Sequence, residues 1–163
     1  MLNLYRRKGV TLVTLIAIIL VGIILTSTIV ISYSSFKTNA RKKAFATEMY
    51  IIQKQIQDYK LRNNKYPIKN EVEFELSDFD SELVSILGEQ NEEIIDEKVK
   101  LYTVDLSMLD IESVIRGTQK DSELDVYAYS TKTGNLYYLM GEEIEDQIYY
   151  NFNNELYNLL KIK

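Results

Sequence analysis

Apolar residues follow three different patterns along this chain. From Val10 to Phe36 they run for 27 positions without a charged residue. Phe45, Met49, Ile52, Ile56 and Tyr59 then recur at spacings of 4, 3, 4 and 3. Beyond Lys98 they form short blocks rich in β-branched and aromatic side chains, separated by turn residues. The first pattern predicts a helix that is apolar on every side. At 1.5 Å per residue it would reach roughly 40 Å, more than the ~30 Å hydrocarbon core of a bilayer. In lipid a helix satisfies its own backbone groups, which irregular chain cannot do. The second pattern predicts a helix with one apolar face, with Gln53, Lys54, Gln57, Asp58 and Lys60 largely elsewhere. That face is expected to pack on the C-terminal domain; a contact with another subunit is the alternative.

The third pattern predicts a strand at Lys98–Val104. It also predicts a hairpin of Leu124–Ser130 and Asn135–Met140 around the loop Thr131-Lys132-Thr133-Gly134. Short helices are expected at Ser77–Leu87, opened by Ser77 with Asp80 and stopped at Gly88, and at Ser107–Arg116, stopped at Gly117. The tail from Glu142 to Lys163 reads two ways. Ile144, Ile148, Phe152 and Leu156 step by four, as in a helix, while Gln147–Asn151 suits an edge strand. There are 13 Tyr. In the pairs Tyr137-Tyr138 and Tyr149-Tyr150, alternating faces lead one to expect one buried and one exposed ring. The expected fold is therefore α+β: a long N-terminal helix packed on a small antiparallel β-sheet domain.

Composition narrows the chemistry. The chain has no Cys and no His, which excludes disulfides, thiolate or imidazole metal sites and every His-based triad. No catalytic residue, metal site or cofactor is expected. Basic residues flank the apolar block as Arg6, Arg7 and Lys8 before it and Lys37, Arg41, Lys42 and Lys43 after it. The first group favours a cytoplasmic N-terminus, and the second weakens that preference. All 24 Asp and Glu lie beyond Lys43. This balance gives no basic surface for nucleic acid, so none is expected as a direct partner. Residues 71–97 carry eleven acids and no base, and read as a solvated acidic face. Asp78-x-Asp80-x-Glu82 lacks the Gly and distal Glu of a calcium loop.

The apolar block is too long for the core of a cleaved secretory signal, and Thr26-Ser27-Thr28 is a poor cleavage site. It reads as a retained membrane helix. The stretch Arg7-Lys8-Gly9-Val10-Thr11-Leu12-Val13-Thr14-Leu15-Ile16 resembles the leader junction of type IV pilins and pseudopilins. The run from Ala40-Arg41-Lys42-Lys43-Ala44 to Asp58-Tyr59-Lys60-Leu61-Arg62-Asn63-Asn64-Lys65-Tyr66-Pro67 is similar to the pilin helix and its exit. Val126 to Gly141 resembles, more loosely, the terminal hairpin of pilin-like proteins from Gram-positive bacteria. The resemblance covers the first 67 residues well and the rest loosely.

It implies a leader peptide at 1–9, a transmembrane half-helix at 10–36, an amphipathic half at 37–66 and an extracytoplasmic α+β domain at 67–163. It also implies cleavage between Gly9 and Val10 by a membrane-embedded prepilin peptidase, methylation of the new amine at Val10, and an edge strand near Gln147–Asn151. Thr14 stands where the family usually has a Glu. That Glu is thought to meet the amine of a neighbouring subunit, which Thr14 cannot do by charge. Two readings of Thr14 stand: the mark of a minor or initiating subunit, or an ordinary Thr bonded to its own helix. Ile31, where many pilins carry a Pro, favours the pseudopilin branch.

The implied function is a filament subunit, without enzymatic activity. Its implied partners are other pilin or pseudopilin subunits, the peptidase, an inner-membrane assembly platform and the membrane. The implied location is a single membrane pass and then a filament at the cell surface. An uncleaved, signal-anchored extracytoplasmic binding protein is the alternative.

Overall fold

The computed structural model describes residues 3–112, 114–119 and 122–161, the side chains of 3–13, 22–32, 34, 70, 71 and 161 excepted. Helix α1 runs Asn3–Asn63. The chain divides into two units, Met1–Ala40 and Arg41–Lys163. Among the described residues no helix is long and apolar enough to cross a membrane. The crossing expected at 10–36 lies largely outside the residues whose side chains are described.

Within the second unit, α1 carries the expected apolar stripe. Phe45, Met49, Ile52 and Ile56 are fully buried, and Tyr59 packs at their margin. The helix stops where the sequence offers Asn and Pro. Asn64 takes a left-handed φ of 54° and donates its N–H to the Lys60 carbonyl at 2.8 Å, a common C-terminal arrangement.

The sheet is antiparallel throughout. It comprises β1 (Ile68–Glu75), β2 (Ile94–Ile95), β3 (Lys98–Val104), β4 (Tyr127–Tyr129), β5 (Leu136–Ile144) and β6 (Gln147–Asn151). The order is β1-β3-β4-β5-β6, with β2 paired to β3. The architecture is thus α+β, and the hairpin expected around Gly134 is present as β4 and β5, in the register Tyr127↔Tyr138 and Ala128↔Tyr137.

Both sheet faces are covered. Tyr127, Tyr129, Tyr138 and Tyr149 pack with the α1 stripe. Tyr137, Tyr150, Val99, Leu101 and Ala128 pack with Leu83 and Leu87 of helix α2 (Ser81–Glu89). The expectation of one buried and one exposed ring per Tyr pair is therefore corrected: all four are buried, because a helix covers each face. Alternation sends the two neighbours to opposite faces, and neither face is open.

Three helical expectations also change. The 77–87 segment splits into a short 3-10 turn at Leu76–Asp78 and α2. Asp80, not Ser77, caps α2 by accepting the Glu82 N–H at 2.9 Å, and Gly88 lies inside the helix rather than beyond it. Among the described residues of 107–116 the helical structure is a 3-10 turn, Leu106–Met108; Glu48 captures the backbone of Ile115 and Arg116 instead. In the tail the strand reading holds as β6, at the edge of the sheet, while the helical reading from Ile144 to Leu156 does not. Ile144 lies in β5, Ile148 in β6 and Phe152 in a loop, and a helix, α3 (Asn154–Lys161), starts only beyond them.

Candidate functional site

A polar clamp binds α1 to the sheet at the margin of their apolar contact. It begins at Glu48, the one acid between Arg41 and Gln57. Glu48 sits one turn from Phe45 and Ile52, at the edge of the buried stripe. Its Oε1 accepts the N–H groups of Ile115 at 3.0 Å and Arg116 at 3.2 Å, and its Oε2 meets the Arg116 guanidinium. Arg116 Nε donates to Glu142 Oε2 on β5 at 2.8 Å. Arg41 returns from α1 to Glu142 Oε1 at 3.0 Å and to the Glu143 carbonyl at 2.8 Å. The Arg116 guanidinium also lies over the Phe45 ring, 5.3 Å from its centroid, which suits a weakly hydrated planar cation.

The side chains of Glu48, Arg116 and Glu142 are only 11–16% exposed. Burial alone would raise the Glu142 carboxyl, but the hydrogen bonds and charges of Arg116 and Arg41 outweigh it and hold the group below its usual range.

Asp125 completes the clamp from behind. It is buried and accepts from Gly117 N at 2.6 Å, Thr118 N at 3.1 Å and the Tyr138 hydroxyl at 2.9 Å. Burial opposes its charge, yet those donors lower its pKa. The adjacent Tyr127 hydroxyl is buried without a hydrogen-bond partner among the described residues. Burial, and next the charge of Glu48, push its pKa far up. A second polar set closes the other sheet face, where buried Glu92 accepts from Tyr137 and from Thr133 Oγ1, both at 2.8 Å.

These carboxylates are committed to structure. A carboxyl held below its ordinary pKa, as Glu142 and Asp125 are, is a poor proton acceptor near neutrality. Among the described residues no group of Asp and Glu could hold a metal.

The residues singled out by sequence lie elsewhere. Gly9, Val10 and Thr14 all fall within α1. All three belong to the first unit, the clamp to the second. Val10 and Thr14 are four residues apart in α1, and Thr14 has an interaction partner. The side chain of Val10 lies outside the described ones. Sequence reasoning missed Glu48, Arg116, Asp125 and Glu142. The available signal was Glu48 itself, a lone acid at the margin of an apolar stripe.

The first unit has its own feature. Leu15, Ile16, Ile18, Ile19, Leu20 and Val21 are each 50–64% exposed. At about 100° per residue these six positions point in every direction around the helix. Comparison of the chain with family models, curated proteins and solved structures finds no match.

Proposed function

We propose that the chain is a filament subunit of the type IV pilin and pseudopilin class, anchored by α1 before assembly. The observation that carries this reading is the exposed apolar girdle Leu15–Val21. A helix apolar on all sides is stable only when all sides are covered by apolar matter. Lipid can supply that cover, and so can the equivalent helices of neighbouring subunits. The same chain buries the inner stripe of α1 beneath its own sheet, so girdle and stripe have different partners. The leader-like Arg7-Lys8-Gly9-Val10 supports this class by resemblance, whereas Thr14 departs from it, standing where the family usually has Glu.

In this reading the peptidase cuts between Gly9 and Val10 and methylates Val10. That bond lies within α1, so cutting requires the first turns to unwind. Gly9 eases this, since Gly is about 1 kcal/mol less helix-favouring than Ala.

Mass spectrometry of the protein made with and without prepilin peptidase tests the proposal. The expected mature mass lacks residues 1–9 and gains one methyl group, and a Gly9→Val chain stays full-length. A full-length protein under both conditions points instead to the uncleaved, signal-anchored binding protein.

A further inference from the structure

Two exposed surfaces of the second unit have apolar centres, and they carry opposite charge. The first is the outward face of α1. Ala44, Thr47 and Ile51 are exposed at i, i+3 and i+7, on the side of the helix away from Phe45, Met49, Ile52 and Ile56. Lys43 and Lys54 are exposed beside them. The one acid of this stretch, Glu48, is turned inward to Arg116. The surface is therefore a shallow pad. Ala44 and Thr47 keep it low, each offering a methyl group, and Thr47 adds a small hydroxyl. Ile51, at 40% exposure, closes one end, and positive charge runs along the flank.

The second surface is the β2–β3 hairpin, whose apolar pair Ile94 and Ile95 is 39% and 61% exposed. Exposed Glu93, Asp96 and Glu97 surround it, and the nearby Lys98 is engaged by Glu75 at 3.3 Å. Asp96 and Glu97 form a two-residue turn with φ of 51° and 62°, the left-handed pair that lets a tight hairpin tip project. Exposed Lys100 lies beside Glu93 on β3 and is itself engaged, so the knob is branched and apolar with a net negative surround.

We infer that the β2–β3 hairpin of one copy docks on the outward face of α1 in a second copy, Ile94 and Ile95 seating over Ala44 and Thr47 while Glu93 and Asp96 approach Lys43 and Lys54. This rests on the filament reading and names the contact between neighbouring bodies. Charge complementarity selects a second copy as the occupant. Pad against pad would set Lys43 and Lys54 against themselves, and knob against knob would oppose three carboxylates; each like-charge arrangement is disfavoured. Knob on pad joins two different patches of one chain. Such a heterologous contact repeats head to tail and generates an open assembly rather than a closed dimer.

The chain has no cysteine, so engineered thiols report the contact without background. The experiment uses the full chain, expressed with prepilin peptidase in membranes and oxidised with copper phenanthroline. Three proteins are compared: Thr47→Cys, Ile95→Cys, and the double variant. The expected result is a ladder of disulfide-linked multimers from the double variant, with each single variant at least about tenfold weaker, the factor a 1.4 kcal/mol preference produces. Adding Lys43→Glu and Lys54→Glu should abolish the ladder, and adding Glu93→Lys and Asp96→Lys as well should restore it. Dimers from Thr47→Cys alone as abundant as the ladder would overturn the inference in favour of pad-on-pad pairing. Filaments of processed protein without cross-links would overturn it while leaving the filament reading intact. A ladder from protein that stays full-length would support the docking and remove the filament reading. Neither ladder nor processing would end both.

Discussion

Arg116 and Glu142 meet at 2.8 Å, from Nε to Oε2, across a 26-residue sequence separation that includes all of β4. The contact would be ordinary on a surface. Here the Arg116 guanidinium also reaches Glu48 on α1, so one cation ties the long helix to the central hairpin. Arg41, one turn from Phe45, holds the other oxygen of Glu142. Two cations and two carboxylates thus alternate around the point where the α1 segment from Arg41 onward enters the sheet body.

Because Glu48 and Glu142 are largely buried, removing their shared partner leaves Glu48 without its ionic partner and Glu142 with Arg41 alone. Arg116→Ala is expected to destabilise the body by about 3 kcal/mol, the cost typical of breaking one member of a buried pair. Arg116→Lys should fall between that and the native chain. A single ammonium cannot present the forked donors that reach both carboxylates. Urea unfolding of the full chain in mild detergent, followed by tyrosine near-UV circular dichroism, checks both. Equal stability of all three proteins would show that the clamp contributes nothing net.

Tyr127 and Tyr138 form a controlled comparison. Their rings are 5.3 Å apart in one cluster and both are buried. The Tyr138 hydroxyl donates to Asp125 at 2.9 Å, while that of Tyr127 has no hydrogen-bond partner among the described residues. Tyr138→Phe removes a donor from a buried carboxylate and should cost about 1.5–3 kcal/mol. The Tyr127 hydroxyl faces the Glu48 carboxylate without a well-formed hydrogen bond, so Tyr127→Phe should cost less than Tyr138→Phe and come out near neutral. Thermal unfolding of the two variants, measured side by side, should give a clear drop for Tyr138→Phe and a shift near zero for Tyr127→Phe.

Glu142 and Asp125 contribute to the response to acid. Both have folded pKa values below their ordinary ones, 4.5 and 3.8. A carboxyl of this kind contributes stability that is fully present above its unfolded value and is lost as pH falls through the folded one. The body should therefore hold its stability down to about pH 4.5 and lose it steadily below that. Asp125→Asn should be less stable at neutral pH and show a flatter acid limb, because one titrating group is gone. Unfolding midpoints collected across the acid range test this. An unchanged slope would mean that Asp125 does not contribute to the acid limb.

The parts of the fold legible in the sequence were those governed by local periodicity. The stripe from Phe45 to Tyr59, the strand Lys98–Val104 and the hairpin on Gly134 each carry their own period and turn chemistry. Strand β1 was obscured by charge: Glu71, Glu73 and Glu75 drew the reading to an acidic surface. Yet Val72 and Phe74 alternate with them, as a half-buried strand requires. The helix expected at 107–116 failed for a non-local reason. Glu48, 67 residues before Ile115, captures the amides of Ile115 and Arg116, and no window around Ser107 contains that information. The clamp was hidden in the same way, since its members come from α1, the long β3–β4 connection and β5. The doubled burial of the Tyr pairs depended on α2 covering the second face, which alternation alone does not reveal.

The glycines give the sharpest contrast between local rule and packed environment. Gly88 lies within α2, and a methyl group there would meet nothing within 4 Å. Gly88→Ala should stabilise α2 by about 0.5–1 kcal/mol, the ordinary helical gain. Gly117 has φ +75°, and a Cβ would come within 2.6 Å of the Tyr127 ring. Gly141 has φ +72°, and a Cβ would come within 2.4 Å of Ile148. At both sites alanine adds backbone strain to a steric clash, so each should be destabilised by about 1–3 kcal/mol. Gly117→Ala should also weaken the clamp, because Gly117 N–H is the shortest donor to Asp125. Its acid limb should therefore move as that of Asp125→Asn does, whereas that of Gly141→Ala should keep the native shape. Unfolding midpoints of the three variants at neutral and acid pH decide the matter. A Gly117→Ala protein with a native acid limb would separate the Tyr127 contact from the Asp125 network.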